Sequence, residues 1–234
     1  MNNNFVSVII PAKNSQVTIK KCLDSLLNSG CTAYELIVIN DGSTDETEKI
    51  LSGYNNIKVL KTEGVGPSKA RNIGIAQARG EFIAFTDADC IAGNNWLEEL
   101  LKGFLDDKVA GVGGSQKSPE DDTEFGKRVQ EFFSIFGFAS EYVKAGAGIR
   151  QTNHNPSCNS IYRKAVLIEA GGFMESLWPG EDVELDYRIK KKGYRFIFNP
   201  AAVVFHYRSA DINKFSAMMF RYGKSQGFLV RCTP

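Results

Sequence analysis

The chain has 234 residues, and its 28 basic and 27 acidic side chains leave a formal net charge of +1. This length fits one large domain or two small ones, and a charge near zero argues against a nucleic-acid-binding protein, which needs a basic surface to neutralise phosphates. The five cysteines form no CxxC pair and are odd in number, which excludes a simple disulfide framework and fits a reducing compartment.

The first half of the chain alternates strand-like and helix-like segments. Between the strands, the pattern predicts helices over 15–28, from the capping-box pair Ser43 and Glu46, and through ARNIGIAQA (70–78). Buried strands separated by helices indicate an α/β fold with a mostly parallel central sheet and helices on both faces. The strands themselves are four apolar runs without polar alternation: VSVII (6–10), ELIVIN (35–40), IKVLK (57–61) and EFIAF (81–85).

Three of these strands are followed at once by residues of interest, namely Pro11, Asp41 and Asp87. Ligands of parallel sheets bind beyond the carboxyl ends of the strands, so we expect these residues to lie at one crevice. From about residue 109 the regular alternation is lost, and glycine and aromatic residues become more frequent. No linker separates the two halves, so we interpret 1–234 as one domain whose second half is an irregular lobe.

The stretch FTDADC (85–90) places Asp87 and Asp89 one residue apart, directly after a predicted strand. Such a pair can close a turn. It can also hold Mg²⁺ or Mn²⁺, which prefer carboxylate oxygens and are completed by substrate phosphates. The pair alone does not decide between these interpretations, and Cys90 beside it is given no role.

Two features of the second half carry the same kind of ambiguity. Glu181 and Asp182 begin a predicted helix in WPGEDVELDYRIKKKGY (178–194), where acids compensate the helix dipole but can also serve as a general base. His206 ends a predicted strand in FNPAAVVFHYR (198–208). A single histidine is usually structural, yet one that approaches carboxylates becomes a plausible metal ligand.

Taken in order, these stretches resemble the motifs of the family 2 glycosyltransferases, inverting enzymes of the GT-A fold that use nucleotide-diphosphate sugars. The resemblance covers nearly the whole chain. Its seven motifs are VSVIIPAKN (6–14), VINDGSTDET (38–47), GPSKARNIGI (66–75), FTDAD (85–89), NSIYRKAVLIEAGGF (159–173), GEDVELDYRIKKKGY (180–194) and AVVFHYR (202–208).

The resemblance implies a role for each candidate residue. Asp182 would be the general base for an acceptor hydroxyl, with Glu181 shaping the acceptor side, and Asp89 and His206 would hold a divalent cation, Mn²⁺ or Mg²⁺. Residues about 1–110 would bind the nucleotide sugar, and residues about 111–234 the acceptor. The residues implied to contact the nucleotide sugar are Pro11, Ala12 and Asp41 at the base, Arg71 at the base or phosphates, Asp87 at the ribose or a metal-bound water, and Asn14, Ala88 and Asn159 elsewhere on the donor side.

The implied reaction moves one sugar, with a UDP-sugar as the favoured donor, to a hydroxyl of a glycan or lipid-linked acceptor. Two departures from the family pattern bear on this expectation. Ser15 stands where many members have a glutamate that holds the ribose, which puts that contact in doubt. The QxxRW signature of processive synthases is absent, so we expect transfer of a single sugar.

Two other classes of protein were weighed against this one. A dinucleotide-dependent oxidoreductase would show GxGxxG in the first strand-to-helix turn, which here reads PAKNSQ (11–16). A sugar nucleotidyltransferase would show a glycine-rich loop after the first strand, and none is found. A non-catalytic sugar-nucleotide or glycan-binding module would not need acids at every implied catalytic position.

The C-terminal stretch INKFSAMMFRYGKSQGFLVRC (212–232) mixes apolar and basic residues. It can lie on an anionic membrane or pack as a helix on the rest of the domain, and both interpretations stand. No signal peptide and no run of about 18 apolar residues occurs, so we expect a cytoplasmic protein, peripheral at the inner face of the cell membrane under the first interpretation. Because no cap signal accompanies Pro234, we expect the natural chain to continue, a membrane anchor being one form of that continuation.

Overall fold

The computed structural model describes residues 5–30, 33–136 and 148–232. Within these ranges nine strands form one sheet in the order β3–β2–β1–β4–β8–β6–β9–β5, and β7 pairs with β9. The strands are β1 Val6–Ala12, β2 Tyr34–Asp41, β3 Lys58–Thr62, β4 Phe82–Thr86, β5 Cys90–Ala92, β6 Val109–Lys117, β7 Arg150–Thr152, β8 Asn159–Arg163 and β9 Arg195–His206.

Helices cover both faces of this sheet. In the described ranges they are α1 Ile19–Leu27, α2 Thr47–Leu51, α3 Pro67–Gln77, α4 Trp96–Leu101, α5 Glu124–Phe136, α6 Lys164–Ala170, α7 Glu181–Lys191 and α8 Ile212–Cys232. Val8 and Ile10 of β1 point to the core under α1, α2 and α4, whereas Ile9 points to the core under α3, α6 and α7. This alternation of side chains along β1 explains why its sequence is apolar on both faces.

The α/β fold predicted from the first half is confirmed, since β1 to β4 pair in parallel in the order β3–β2–β1–β4. The capping box predicted for Ser43 and Glu46 is wrong. The hydroxyl of Ser43 instead accepts a hydrogen bond from the backbone N–H of Asn14, 3.0 Å away. Helix α2 begins only at Thr47, whose own N–H donates to the Asp45 carboxylate over 3.0 Å.

The second half is more regular than the sequence indicated, and it makes the sheet mixed. Strand β8 runs antiparallel to both β4 and β6, while β6 and β9 pair in parallel. Strands from the two halves therefore join in one sheet. The β6 sequence VAGVGGSQK does not predict a strand, because glycine has low strand propensity. A Cβ atom built on Gly114 would lie 1.9 Å from the carbonyl oxygen of Ala202, so the two backbones meet there more closely than any side chain permits.

Helix α8 packs beside the turn that precedes α7. Ser225 donates a hydrogen bond to the carbonyl oxygen of Pro179, and Leu229 is buried next to Gly180. The packing interpretation of the C-terminal stretch is therefore observed. Among the described residues, no helix combines the length and the apolar character needed to cross a bilayer.

Candidate active site

The Asp87–Asp89 pair forms the turn between β4 and β5. The N–H of Cys90 donates to the carbonyl oxygen of Asp87 over 3.0 Å, which closes the turn. Strand β5 then pairs antiparallel with β9, and Cys90 lies directly opposite His206. This register brings the His206 ring to Asp89, with 3.3 Å between Nε2 and a carboxylate oxygen. The turn interpretation and the ligand interpretation of FTDADC are thus compatible, because the turn is what presents the carboxylates.

The donor atoms of Asp87, Asp89 and His206 all lie within 4.8 Å of one another. All three residues are half-buried. Two carboxylate oxygens and one imidazole nitrogen suit a divalent cation such as Mn²⁺ or Mg²⁺ that takes its remaining ligands from water or phosphate. The residues present therefore fit the cation that the sequence implied.

The charges of this group stabilise each other. Burial would raise the pKa of Asp89, but the attraction of His206 outweighs it and lowers the pKa. Burial would lower the pKa of His206, yet Asp89 raises it to about 10. The two side chains form an ion pair, and His206 would have to give up a proton to bind a cation through Nε2.

A second layer of polar residues supports His206, and sequence reasoning missed it. Arg208 places one guanidinium nitrogen 3.1 Å from Nδ1 of His206. The same guanidinium donates to the side chains of Gln116 and Gln130 over 2.9 and 2.7 Å. Arg208 lies two residues after His206, at the end of the AVVFHYR motif, and that position was the available signal.

Arg71 of α3 links the metal-ligand group to the start of α7. Its guanidinium donates to Asp87 over 2.8 Å and to Glu181 over 2.7 Å. The Arg71 side chain is 3% exposed and that of Glu181 4%, so this is a buried ion pair. The sequence implied that Arg71 reaches the base or the phosphates. In the structure it binds the carboxylates of Asp87, 16 residues along the chain, and of Glu181, 110 residues along the chain.

Glu181 lies at the centre of a cluster of charges. Burial and the neighbouring Asp182 carboxylate raise the pKa of Glu181 to about 7, and Arg71 opposes this rise only in part. Glu181 is buried at the first position of α7, so its contact is with Arg71 within the protein.

Asp182 lies beside Glu181 but has a different environment. One oxygen accepts the N–H of Ser157 over 3.0 Å, and the other accepts the N–H of Val183 over 2.9 Å. Its side chain is 17% exposed. Each oxygen keeps a second lone pair beyond these backbone bonds, so the carboxylate retains the capacity to accept a proton from a ligand.

His154 also lies near Asp182, with 3.9 Å between its Nε2 atom and a carboxylate oxygen. Its Nδ1 lies 3.0 Å from Asp186, which is almost fully buried and also accepts the Tyr162 hydroxyl over 2.9 Å. Burial would lower the pKa of His154, but Asp182 and Asp186 raise it to about 8. Burial outweighs these bonds for Asp186, whose pKa is raised. Asp182 and Asp186 are four residues apart on one helix face, a spacing that could have revealed the pair in the sequence.

The residues predicted for the nucleotide side lie at the carboxyl ends of β1 and β2. Pro11 is half-buried and Ala12 buried at the end of β1. Asn14 has a φ of 51°, and its side-chain oxygen accepts the N–H of Thr44 over 2.8 Å, which joins the two loops after these strands. A shallow depression of about 470 Å³ next to Glu35 lies at the opposite, amino ends of the strands and holds none of the predicted residues.

Asp41 organises the turn between β3 and α3. Its carboxylate accepts the hydroxyl of Thr62 and the N–H groups of Val65 and Gly66, over 2.6, 2.7 and 2.9 Å. Burial would raise the pKa of Asp41, and these three hydrogen bonds lower it. Asp41 is 4% exposed, and all three of these hydrogen bonds hold the segment between β3 and α3.

Asn159 lies in the core. Its amide donates to the carbonyl oxygens of Ser115 and Ala202 over 2.8 and 3.0 Å and accepts the indole N–H of Trp96 over 2.7 Å. The residue is fully buried. The side chain therefore connects β8 with β6, β9 and α4. Asn159 was predicted to contact the nucleotide sugar, but it has no exposed side-chain atom in this structure. Ala88 is likewise buried within the turn.

Helix α8 closes the side of the site next to α7. Gly180 has a φ of 97°, and a Cβ atom there would lie 2.6 Å from the Ser225 hydroxyl, so this turn requires glycine. Burial, together with the negative charge of Asp182, raises the pKa of Tyr222 to about 12. Tyr222 was not singled out from the sequence, because nothing in the sequence places α8 at the site.

The mixed sheet, the acidic turn after β4 and the acids that begin α7 define an α/β domain of the GT-A type. The chain belongs to glycosyl transferase family 2, whose model matches residues 7–171. It is 29% identical over 223 residues to the pre-mycofactocin glycosyltransferase of Mycobacterium tuberculosis, covering 94% of this chain and 46% of that protein. The chain therefore spans about half the length of that relative.

Two further comparisons agree with this membership. Glycosyltransferase AglE of Haloferax volcanii is 30% identical over 229 residues, covering 95% of this chain and 73% of that protein. Among solved structures, the mannosyltransferase PcManGT of Pyrobaculum calidifontis, in complex with GDP-Man and Mn²⁺, superposes with a TM-score of 0.73 at 22% identity, over 94% of this chain and 61% of that one. At this identity the superposition shows the fold alone.

Proposed function

We propose that this domain is an inverting, metal-dependent glycosyltransferase. It moves one sugar from a nucleotide-diphosphate sugar, with UDP favoured as the nucleotide, to a hydroxyl of a glycan or lipid-linked acceptor. One observation carries the proposal: Arg71 binds both Asp87 of the metal-ligand group and Glu181, the neighbour of Asp182. The buried guanidinium of Arg71 therefore lies between the cation-binding group and the start of α7, where Asp182 has free lone pairs.

The donor side of the proposal rests on Asp87, Asp89 and His206. Asp89 and His206 would hold the cation, with Asp87 at the ribose or a metal-bound water. When bound, the cation supplies Lewis-acid stabilisation of the negative charge on the departing diphosphate. The structure of PcManGT was solved with Mn²⁺ and a nucleotide sugar, which supports a divalent cation here.

The acceptor side rests on Asp182. Its carboxylate accepts the proton of the attacking hydroxyl, a contribution of typically about 10²–10⁴-fold to the rate. Attack from the face opposite the diphosphate inverts the anomeric carbon, so no nucleophilic side chain is needed on the other face. His154, 3.9 Å from Asp182, orients that carboxylate, and Glu181 stays bound to Arg71.

A thermal-shift screen of nucleotide sugars with Mn²⁺ or Mg²⁺ tests the donor side. A ligand at 100 times its Kd adds about 2.7 kcal/mol, which corresponds to about 5–11 °C in Tm for a domain of this size. Asp89→Ala should remove the cation-dependent part of this shift. Asp107→Ala is the matched control, because Asp107 is a fully exposed acid. An undiminished cation-dependent shift in Asp89→Ala would contradict the assignment.

Release of the nucleoside diphosphate separates this proposal from a non-catalytic binding module. A transferase releases UDP or GDP when donor and acceptor are both present, and its rate depends on Asp182. A binding module would show the thermal shift without release. A sugar nucleotidyltransferase would release no nucleoside diphosphate in this assay, and would form pyrophosphate only from a nucleoside triphosphate and a sugar 1-phosphate.

Contact with a membrane surface through α8 is a further part of the proposal. Phe220 and Phe228 are 76% and 42% exposed, and the basic Lys224 lies between them on the same helix face. Such a face suits an anionic lipid surface. We expect co-sedimentation with phosphatidylglycerol vesicles that is reduced by Phe220→Ser with Lys224→Glu. Equal sedimentation of the variant and the parent would contradict it.

A further inference from the structure

A second convergent group of ligand atoms lies directly behind the acidic turn. The Sγ atoms of Cys90 and Cys158 and a ring nitrogen of His206 all lie within 4.8 Å of one another. Both cysteines are buried and His206 is half-buried. Cys22 is buried too, but its thiol lies 3.5 Å from the carbonyl oxygen of Asp87 and does not belong to this group.

The sheet holds two of these residues, and the turn before β8 presents the third. Cys90 is the first residue of β5 and the register partner of His206 in β9. Cys158 is the turn residue directly before β8, next to Asn159, whose amide donates to the carbonyl oxygens of Ser115 and Ala202. The three side chains therefore meet at positions that the strand pairing and the start of β8 define.

The chemistry of the group differs from that of the acidic turn. Two thiolates and an imidazole select a soft or borderline cation such as Zn²⁺, whereas Mn²⁺ and Mg²⁺ prefer carboxylates and water. Thiolates bound at about 2.3 Å from tetrahedral zinc lie about 3.8 Å apart, so the two Sγ atoms need to approach each other by no more than about 1 Å. Asp89 is not part of this group, but it lies beside it, with one oxygen 4.0 Å from the Sγ atom of Cys90 and 3.3 Å from Nε2 of His206. Rotation of the Asp89 side chain toward Cys158 would bring this oxygen to the fourth position.

We propose that Cys90, Cys158 and His206, with Asp89 as the fourth ligand, form a binding site for Zn²⁺. His206 and Asp89 also belong to the group that would hold the catalytic cation. Zinc in the thiol site therefore excludes that cation and inhibits transfer. The zinc site stands on its own geometry, and only the inhibition rests on the proposed function.

Cobalt titration tests the site without any activity measurement. Co²⁺ bound by thiolates gives a ligand-to-metal charge-transfer band in the near ultraviolet. We expect this band in the wild type and in Cys22→Ser at one equivalent of Co²⁺, and its loss in both Cys90→Ser and Cys158→Ser. Thermal unfolding without metal checks that each variant is folded.

Competition with Zn²⁺ then gives the affinity. Loss of residues that merely orient a metal ligand costs about 10–100-fold, so loss of a direct thiolate should weaken Zn²⁺ binding by more than about 100-fold. Absence of the band in the wild type overturns the proposal. So does a band of the same intensity in Cys90→Ser and Cys158→Ser, because other cysteines would then be the ligands.

A kinetic measurement tests the exclusion separately. With Mn²⁺ held constant, the Zn²⁺ concentration that halves nucleoside diphosphate release should rise more than about 100-fold in Cys158→Ser, relative to that variant's own rate without zinc. A cobalt band in the wild type with unchanged zinc sensitivity in Cys158→Ser would contradict the proposed inhibition but would still support the zinc site.

Discussion

Replacement of Arg71 by methionine removes the guanidinium that joins the acidic turn to α7 while keeping an apolar stem of similar length. The change leaves Glu181 buried without its partner, at a residue exposure of 3%. It also removes the contact of the guanidinium with the ring of Phe173, 5.7 Å from the ring centre. Asp87 is affected less, since 28% of its side chain is exposed and water can replace the lost bond.

Breaking a buried ion pair by removing one partner costs about 3–5 kcal/mol. For a domain of this size that corresponds to a fall in Tm of about 6–20 °C. The cost depends on pH because the pKa of Glu181 is raised to about 7. That value holds with Arg71 in place, and the guanidinium lowers it, so Glu181 of Arg71→Met keeps its proton to a higher pH than Glu181 of the wild type. At pH 6 Glu181 is mostly protonated in both proteins and little ion pairing is lost, so the loss in Arg71→Met should be smaller at pH 6 than at pH 8.

Urea unfolding at pH 8 and pH 6 measures this loss. The matched control is Arg79→Met, since Arg79 lies just beyond α3 and pairs with Glu35 while 76% of its side chain is exposed. An exposed pair contributes at most about 1 kcal/mol. If Arg71→Met destabilises the domain no more than Arg79→Met at pH 8, the buried ion pair between Arg71 and Glu181 does not stabilise the domain.

Three further predictions concern the support of the site. The pKa of His154 is raised from 6.5 to about 8, so its protonation adds about 2 kcal/mol to the free energy of unfolding. This stabilisation is complete below pH 6.5 and is lost as the pH rises through 8. Urea unfolding across this range should show the decline, and His154→Gln should flatten it. Gly114→Ala should cost about 3 kcal/mol or more, because the new Cβ would lie 1.9 Å from the Ala202 carbonyl oxygen. Gly223→Ala in α8 meets no atom within 4 Å and should stabilise by up to about 1 kcal/mol in thermal unfolding.

Each of these predictions has a clear contrary result. An equal pH slope in the wild type and in His154→Gln would show that His154 is not protonated through its acidic neighbours. A loss below about 1 kcal/mol in Gly114→Ala would show that β6 and β9 can separate at that point. A destabilising Gly223→Ala would place α8 in a different packing.

The first half of the fold was predictable because its signals are local. Strands β1, β2 and β4 each contain a nearly continuous apolar run, whereas the edge strand β3 is partly polar and has the sequence KVLKT. Strand β6 escaped prediction because three of its nine residues are glycines, at 111, 113 and 114. A Cβ atom would meet Tyr162 of β8 at Gly111, Asn155 at Gly113 and Ala202 of β9 at Gly114, and no local pattern contains these contacts.

The site shows the same division. The approach of Asp89 and His206 was implied by the motifs, and the register between Cys90 and His206 accounts for it. The bond between Arg71 and Glu181 joins residues 110 positions apart, and it depends on how α3 and α7 pack on one face of the sheet. Contacts of this kind follow from tertiary packing. The sequence motifs therefore predict the candidate residues but not the residues that they contact.

The central claim is that one carboxylate deprotonates the acceptor while a separate group holds the donor. Asp182→Asn tests it most directly, because asparagine keeps the shape and the backbone bond from Ser157 but cannot take the proton. We predict that nucleoside diphosphate release with donor, acceptor and Mn²⁺ falls by about 10²–10⁴-fold. Calorimetric titration of the donor should give a Kd within about 3-fold of the wild type, since a lost base leaves donor contacts intact. Release at more than a tenth of the wild-type rate, or an equal loss of donor binding, would contradict the claim.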